Sequence, residues 1–150
     1  MTLQTLTDAS IIDALRRKRF KATSQRIAIC RIALASREHP TAKRIFAEVK
    51  KTYPTVSLAT VYKTLHVLKQ LRLVQELAFS KGENRFDSNM EPHLNVACLQ
   101  CGKVIDVNDH GARRLILKAA EKTRYTITDQ RFDIYGFCEK CKARMRLTTQ

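Results

Sequence analysis

The sequence predicts an α+β fold in two parts. A winged helix-turn-helix domain spans 1–88, and a small α+β domain with a structural four-cysteine zinc site spans 89–150. Three features point there. Four stretches of helical periodicity precede a short strand–turn–strand pattern in the first part. Two Cys-x-x-Cys pairs, Cys98/Cys101 and Cys138/Cys141, lie in the second part with 36 residues between them. Four thiolates at such spacing complete the tetrahedral shell of a structural zinc ion. Finally, the composition and periodicity change after residue 88, at Asn89-Met90-Glu91-Pro92, which reads as a linker.

The elements run in order. Asp8 to about Lys18 reads as a short helix carrying Ile11, Ile12 and Leu15. Thr23 or Ser24 caps a second helix over about 24–36, which His39-Pro40 breaks. Thr41 caps a third, with Ile45, Phe46 and Val49, ending near Tyr53-Pro54. Ser57 caps a fourth, running to about Leu71. On this fourth helix Leu58, Val61, Leu65, Leu68 and Leu71 recur every three or four residues and share one face. Thr60, Tyr62, Lys63, His66 and Lys69 are left on other faces.

An amphipathic helix with a solvated polar face is the ordinary reading of that pattern. The next segment of chain changes the weight. Leu73–Phe79 and Arg85–Asp87 read as strands about a turn at 80–84, and helices closed by such a hairpin make a winged helix-turn-helix. In that setting Lys63 suits a phosphate or a guanine edge, and the Tyr62 ring suits a thymine methyl. Thr60, Tyr62 and Lys63 are therefore candidate DNA contacts, with Lys81 at the wing tip.

In the second part, Asn95–Cys98 and Lys103–Val107 read as strands joined by the first cysteine turn. Ala112 to about Lys122 reads as a helix bearing Leu115, Ile116, Ala119 and Ala120. Tyr125–Ile127 and Arg131–Tyr135 read as further strands.

The cysteines admit other chemistries. No basic segment followed by an apolar stretch opens the chain, so a reducing, cytoplasmic setting is expected and disulfides are not. A redox dithiol, and with it an enzyme, needs one reactive pair opening a helix in a βαβ unit; two pairs in turns fit that poorly. Cys30 stands alone on an apolar helix face and reads as a small buried hydrophobe.

Charge narrows the partner. The chain has 28 Lys+Arg against 14 Asp+Glu, net +14. Residues 1–80 hold 15 of the basic and 5 of the acidic groups, net +10. A basic chain of this kind meets a polyanion, and the basic half is the one with the helix-turn-helix pattern. A zinc-ribbon RNA-binding module is the rival on charge alone, distinguished by its affinity for single strands. No apolar run approaches the roughly 20 residues of a membrane span, so no membrane partner is expected.

Several stretches, in this order and spacing, resemble the ferric uptake regulator (Fur) family over nearly the whole chain. They are His39-Pro40-Thr41-Ala42, Ser57–Leu65 (SLATVYKTL), Arg85-Phe86-Asp87, Cys98-x-x-Cys101-Gly102-Lys103 and Ile134-Tyr135-Gly136-Phe137-Cys138-x-x-Cys141. The resemblance implies a homodimeric, metal-dependent transcriptional repressor. Its first domain would read an AT-rich inverted repeat in double-stranded DNA, and its second would dimerise.

Within the family the chain looks most like the peroxide-sensing (PerR) branch, whose regulatory Fe(II) or Mn(II) is held by three histidines and two aspartates. Four positions match: His39, Asp87, His93 and Asp106. At the fifth, where the branch has a histidine, this chain has Asn95. The resemblance implies His39 and His93 as the imidazoles that peroxide oxidises, whereas His66 and His110 are assigned no metal. Asp129 and Gln130 stand where many relatives carry histidines of an additional site, which is expected to be absent. Imidazoles with carboxylates and no thiolate suit Fe(II) and Mn(II). Asn95 leaves three arrangements open: an unfilled coordination position, coordination by its own amide oxygen, or recruitment of Glu91. A plain Fe(II)- or Mn(II)-responsive uptake regulator is the runner-up reading.

Overall fold

Hydroxyl caps set the starts of the first four helices. The computed structural model describes residues 7–78 and 82–147. Its first helices are α1 (Asp8–Arg17), α2 (Ser24–Ala35), α3 (Ala42–Thr52) and α4 (Leu58–Gln70). Thr7, Thr23, Thr41 and Ser57 precede them in extended conformation. Each side-chain oxygen accepts the backbone N–H three residues on, at Ser10, Arg26, Arg44 and Thr60. Each such cap contributes about 1 kcal/mol by satisfying an orphan donor.

The ends of α1 and α4 share another device. Arg19 and Arg72 adopt left-handed backbone, φ +58° and +55°. The next residues, Phe20 and Leu73, donate their N–H groups back to Leu15 and Leu68 carbonyls. This is the Schellman turn, here made by arginine where glycine is the usual occupant.

The chain divides into two compact units, 1–90 and 91–150. The first unit buries a continuous apolar core from all four helices, including Leu15, Ile29, Ile45, Val61, Leu65 and Leu68, each nearly inaccessible to solvent. Burying each of these side chains is worth about 1.5–3 kcal/mol against leaving it in water. Val67 and Thr64 of α4 are buried too, because both α2 and α3 pack on that helix. Its apolar face is therefore wider than a single stripe.

After α4, β1 (Gln75–Leu77) pairs antiparallel with β2 (Arg85–Asp87), with Gln75 opposite Asp87 and Leu77 opposite Arg85. A bridge from Thr41 to Arg85 ties this hairpin to the start of α3. Phe79, Ser80 and Lys81 lie outside the described residues, so the expected end of the first strand and the Lys81 wing contact lie outside them as well.

The second unit holds β3 (Leu94–Cys98), β4 (Val104–Val107), α5 (His110–Thr123), β5 (Phe132–Gly136) and α6 (Glu139–Leu147). The sheet order is β4-β3-β5, with β3 antiparallel to β4 and parallel to β5. Ile105 and Ile134 flank Val96 in one row and are each 48% exposed. On α5 only Ala112 is buried, while Leu115 and Leu117 are 55% and 62% exposed. This unit thus presents an apolar strand face and an apolar helix that it does not itself cover.

One expectation fails here, and one element has no counterpart in the sequence reading. Tyr125–Ile127 forms no strand, although its side chains alternate correctly. It follows the left-handed Arg124 that closes α5, Tyr125 is 74% exposed, and β3 has both of its edges taken by β4 and β5. The α6 helix was not anticipated, since its sequence EKCKARMRL has little apolar periodicity. Among the described residues, no helix is long and apolar enough to cross a membrane.

Candidate metal centres and nucleic-acid face

The four paired cysteines converge. Their sulfurs all lie within 4.8 Å of one another, and Cys101 Sγ is 3.8 Å from Cys138 Sγ. Zinc–sulfur bonds of about 2.3 Å in a tetrahedron put neighbouring sulfurs about 3.8 Å apart, so the cluster fits a structural zinc ion. Local backbone builds each half. Cys98 ends β3, and the turn after it closes through Gly102 N–H to the Cys98 carbonyl (2.9 Å) and Cys98 N–H to the Lys103 carbonyl (2.8 Å). Gly102 sits at φ +67°, a conformation that favours glycine. Cys138 directly precedes α6 and Cys141 lies in its first turn.

The thiols are unequal. The backbone N–H of Cys138 donates to Cys98 Sγ at 3.3 Å, and with further N–H groups in the Cys98–Cys101 turn it lowers the Cys98 thiol to about 6. The hydrogen bond with Cys138 and then burial push Cys141 up to about 12. One sulfur is thus a ready ligand while another holds its proton, and zinc binding must release protons. Cys30, fully buried and with its thiol raised to about 12 by desolvation, is the inert core residue expected. None of the five cysteines is in a disulfide.

The five candidate regulatory ligands form two sets, one in each unit. In the first unit, buried His39 Nε2 lies 3.7 Å from Asp87 Oδ1, which is also buried. His39 adopts φ +48°, immediately before Pro40. A non-glycine residue there costs on the order of 1–3 kcal/mol and persists only where its surroundings impose it. Two bonds impose it here. The Arg85 guanidinium donates to the His39 carbonyl at 3.0 Å, and Phe86 N–H donates to the Pro40 carbonyl at 3.0 Å. Asp87 is aimed by Gln75, whose amide donates to Oδ2, and by Asn89 N–H, which donates to Oδ1, both at 2.7 Å. Sequence pattern alone does not mark Gln75, because only the β1–β2 register places it opposite Asp87.

In the second unit, β3 and β4 bring His93, Asn95 and Asp106 together. His93 Nε2 lies 3.2 Å from Asn95 Oδ1 and 3.5 Å from Asp106 Oδ1. Nδ1 of the same ring lies 2.7 Å from the Glu91 carbonyl, so it donates there. Glu91 itself is exposed. His93 and Asn95 are 4% and 1% exposed, which is deep for polar side chains. Asp133 of β5 completes the row beside Asn95 and was likewise invisible without the register.

On α4, Tyr62 is 49% exposed and Lys63 is exposed beside it. Thr60 is half-buried in the cap, its hydroxyl 2.9 Å from that of Ser57. All five acidic residues within 1–80 pair with cations of their own unit: Asp8 with Arg31, Asp13 with Arg17, Glu38 with Arg44, Glu48 with Lys51, and Glu76 with Lys69. The net +10 of this segment thus leaves exposed basic groups such as Arg16, Lys18, Lys21, Arg37 and Lys63 on the first unit.

A family model described as the ferric uptake regulator family matches residues 17–135. The peroxide-responsive repressor PerR of Staphylococcus aureus (strain Mu50) is 35% identical over 131 residues, 87% of this chain and 88% of that protein. A crystal structure of the Campylobacter jejuni peroxide stress regulator is similar at TM-score 0.70 and 31% identity, covering 87% of this chain and 98% of its own. The Helicobacter pylori ferric uptake regulator matches the fold at TM-score 0.77 over 93% of this chain and 96% of its own, at 21% identity.

Proposed function

This chain belongs to the ferric uptake regulator family and is a metal-responsive regulator close to peroxide repressors, and from that premise we propose a peroxide-sensing transcriptional repressor. In this reading the protein is a cytoplasmic homodimer that binds an AT-rich inverted repeat with Fe(II) in place. It releases the DNA when hydrogen peroxide oxidises His39 or His93.

The observation that carries the reading is the pair of thiolate-free ligand sets. His39 with Asp87, and His93 with Asn95 and Asp106, are buried or half-buried imidazole, carboxylate and amide groups of the kind Fe(II) and Mn(II) take. Bound Fe(II) would supply the reducing electron that splits peroxide. The protein's own part is to hold each imidazole in a fixed pose within its unit, Nδ1 of His93 anchored on the Glu91 carbonyl and His39 fixed by its constrained backbone. A ring that gains one oxygen is a poorer ligand. Metal binding couples to DNA binding by linkage, and about 1–3 kcal/mol of coupling changes affinity about 5–150-fold. Tyr62 and Lys63 on the exposed side of α4 support the DNA contact, joined by Thr60 at its start and by Lys81. The uncovered apolar faces of α5 and the β3 sheet support a second copy as partner.

Mass spectrometry after peroxide treatment tests the mechanism. Protein loaded with Fe(II) is expected to gain one oxygen on the His39 or His93 peptide, and protein loaded with Mn(II) is not. No histidine oxidation in either sample overturns peroxide sensing. That outcome would leave a plain Fe(II)- or Mn(II)-responsive uptake regulator, the reading favoured by Asn95 standing where the peroxide branch has an imidazole.

A further inference from the structure

We propose that Asp133 is a positioning residue: it turns the Asn95 carboxamide so that oxygen, not nitrogen, faces the metal at His93 and Asp106. The inference rests on the regulatory-metal reading above and names what fixes its one departure from the peroxide branch.

The register makes the arrangement. Asn95 of β3 lies opposite Asp106 of β4 on one side and Asp133 of β5 on the other, so the three share a row on one face of the sheet. An amide's two ends are nearly the same size, and its neighbours decide which way it points. Here Asn95 Nδ2 lies 3.3 Å from Asp133 Oδ1. An ionised carboxylate only accepts, so the amide nitrogen must face it. The oxygen is thereby turned to the other side, 3.2 Å from His93 Nε2.

What it meets there is chemically particular. With Nδ1 of His93 donating to the Glu91 carbonyl, a metal ion that displaces any proton on Nε2 would meet that nitrogen's lone pair. Asp106 Oδ1 is 3.5 Å from the same nitrogen. Three lone-pair donors therefore converge: an imidazole nitrogen, an amide oxygen and a carboxylate oxygen. Metal bonds of about 2.1 Å at right angles separate adjacent donors by about 3 Å, close to both spacings. A flipped amide would aim its N–H groups at the cation instead.

Asp133 is itself held for this task. Its Oδ2 takes the Arg131 guanidinium at 2.5 Å and the Tyr135 hydroxyl at 3.2 Å, leaving Oδ1 to Asn95. Its side chain is 13% exposed, so water competes weakly for that bond. The result is a donor set richer in oxygen than one with an imidazole at this position. Such a set shifts preference toward Mn(II) and Fe(II) and away from Co(II) and Zn(II).

The test is the affinity of the full-length, zinc-loaded protein for Mn(II), followed by the electron-paramagnetic resonance of free Mn(II), with Co(II) titrated in parallel. Orienting partners of metal ligands are typically worth about 10–100-fold in affinity. Asp133→Asn is expected to weaken Mn(II) binding about 10-fold or more and Co(II) binding less. Asp133→Glu is expected to recover most of the loss. Asn95→Ala is expected to weaken Mn(II) similarly, and adding Asp133→Asn to it should cost little more, since both act through one group.

Tyr135→Phe, at an exposed position, supplies a milder perturbation if Asp133→Asn lowers the unfolding temperature; it is expected to move the Mn(II)/Co(II) preference the same way by a smaller factor. Unchanged Mn(II) affinity in Asp133→Asn, or fully multiplicative losses in the double variant, overturns the proposal. His93→Ala separates the two levels. If it abolishes Mn(II) binding while Asp133→Asn does nothing, only the positioning role fails. If it too leaves binding intact, the metal-site reading fails and this inference with it.

Discussion

The two units are stabilised in opposite ways. Unit 1–90 folds around itself: four capped helices bury Leu15, Ile29, Ile45, Leu65 and their neighbours almost completely. Unit 91–150 buries few apolar side chains among its described residues, chiefly Ala97, Val104 and Ala112 beside two of its cysteines, and leaves Leu115, Leu117, Ile105 and Ile134 close to half exposed or more. A unit of this size cannot hold together on so small a core. It relies on a four-sulfur clamp and, in the proposed dimer, on a second copy. The proposed regulatory ligands are spread over both kinds of structure, one set in each.

The largest effect that would break this contrast is zinc removal. A structural zinc site supplies on the order of 10 kcal/mol of folding free energy. Chelation, or Cys101→Ser, should strip hydrogen-exchange protection from β3, β4 and β5 while α1–α4 stay protected. Simultaneous loss in both units would show that the first does not stand on its own core. Next comes a matched pair of truncations. Leu65→Ala should cost about 2–5 kcal/mol in denaturant unfolding, because it opens a cavity at a fully buried site. Leu117→Ala should change stability by under about 0.5 kcal/mol yet shift sedimentation toward monomer, because its side chain is 62% exposed.

Smaller still are the DNA contacts. Tyr62→Ala and Lys63→Ala should each weaken operator binding by about 1–3 kcal/mol without loss of zinc or dimer. The Lys63 variant should also reduce the salt dependence by about one counterion. Unchanged binding in both would mean that α4 is not the reading helix. The least effect belongs to Arg19→Gly, which relieves a left-handed arginine at the end of α1. A gain below about 1 kcal/mol is expected in thermal unfolding, since the relief is partly offset by a freer unfolded chain.

Helix starts were legible because a hydroxyl residue before an apolar run announces its own hydrogen bond, as Thr23, Thr41 and Ser57 do. The cysteine cluster was legible from spacing alone. What escaped depends on partners distant in sequence. Tyr125–Ile127 has the alternation of a strand, but alternation cannot reveal that this segment stays outside the β4-β3-β5 sheet. Val67 looks optional on a helical wheel until α2 and α3 both press on α4. Gln75 and Asp133 reach their roles through strand register, which no local pattern encodes. The α6 helix hid behind a cysteine pair and a run of basic residues.

The alternation in β3 and β4 would also make binding at the proposed metal site a check on folding. Asn95 and Asp106 look one way; Val96 and Ile105, paired in the next row, look the other. A slip of one residue would carry Asp106 to the apolar side and bring Ile105 in beside Asn95. A misregistered chain could neither gather its donors nor present a clean apolar surface.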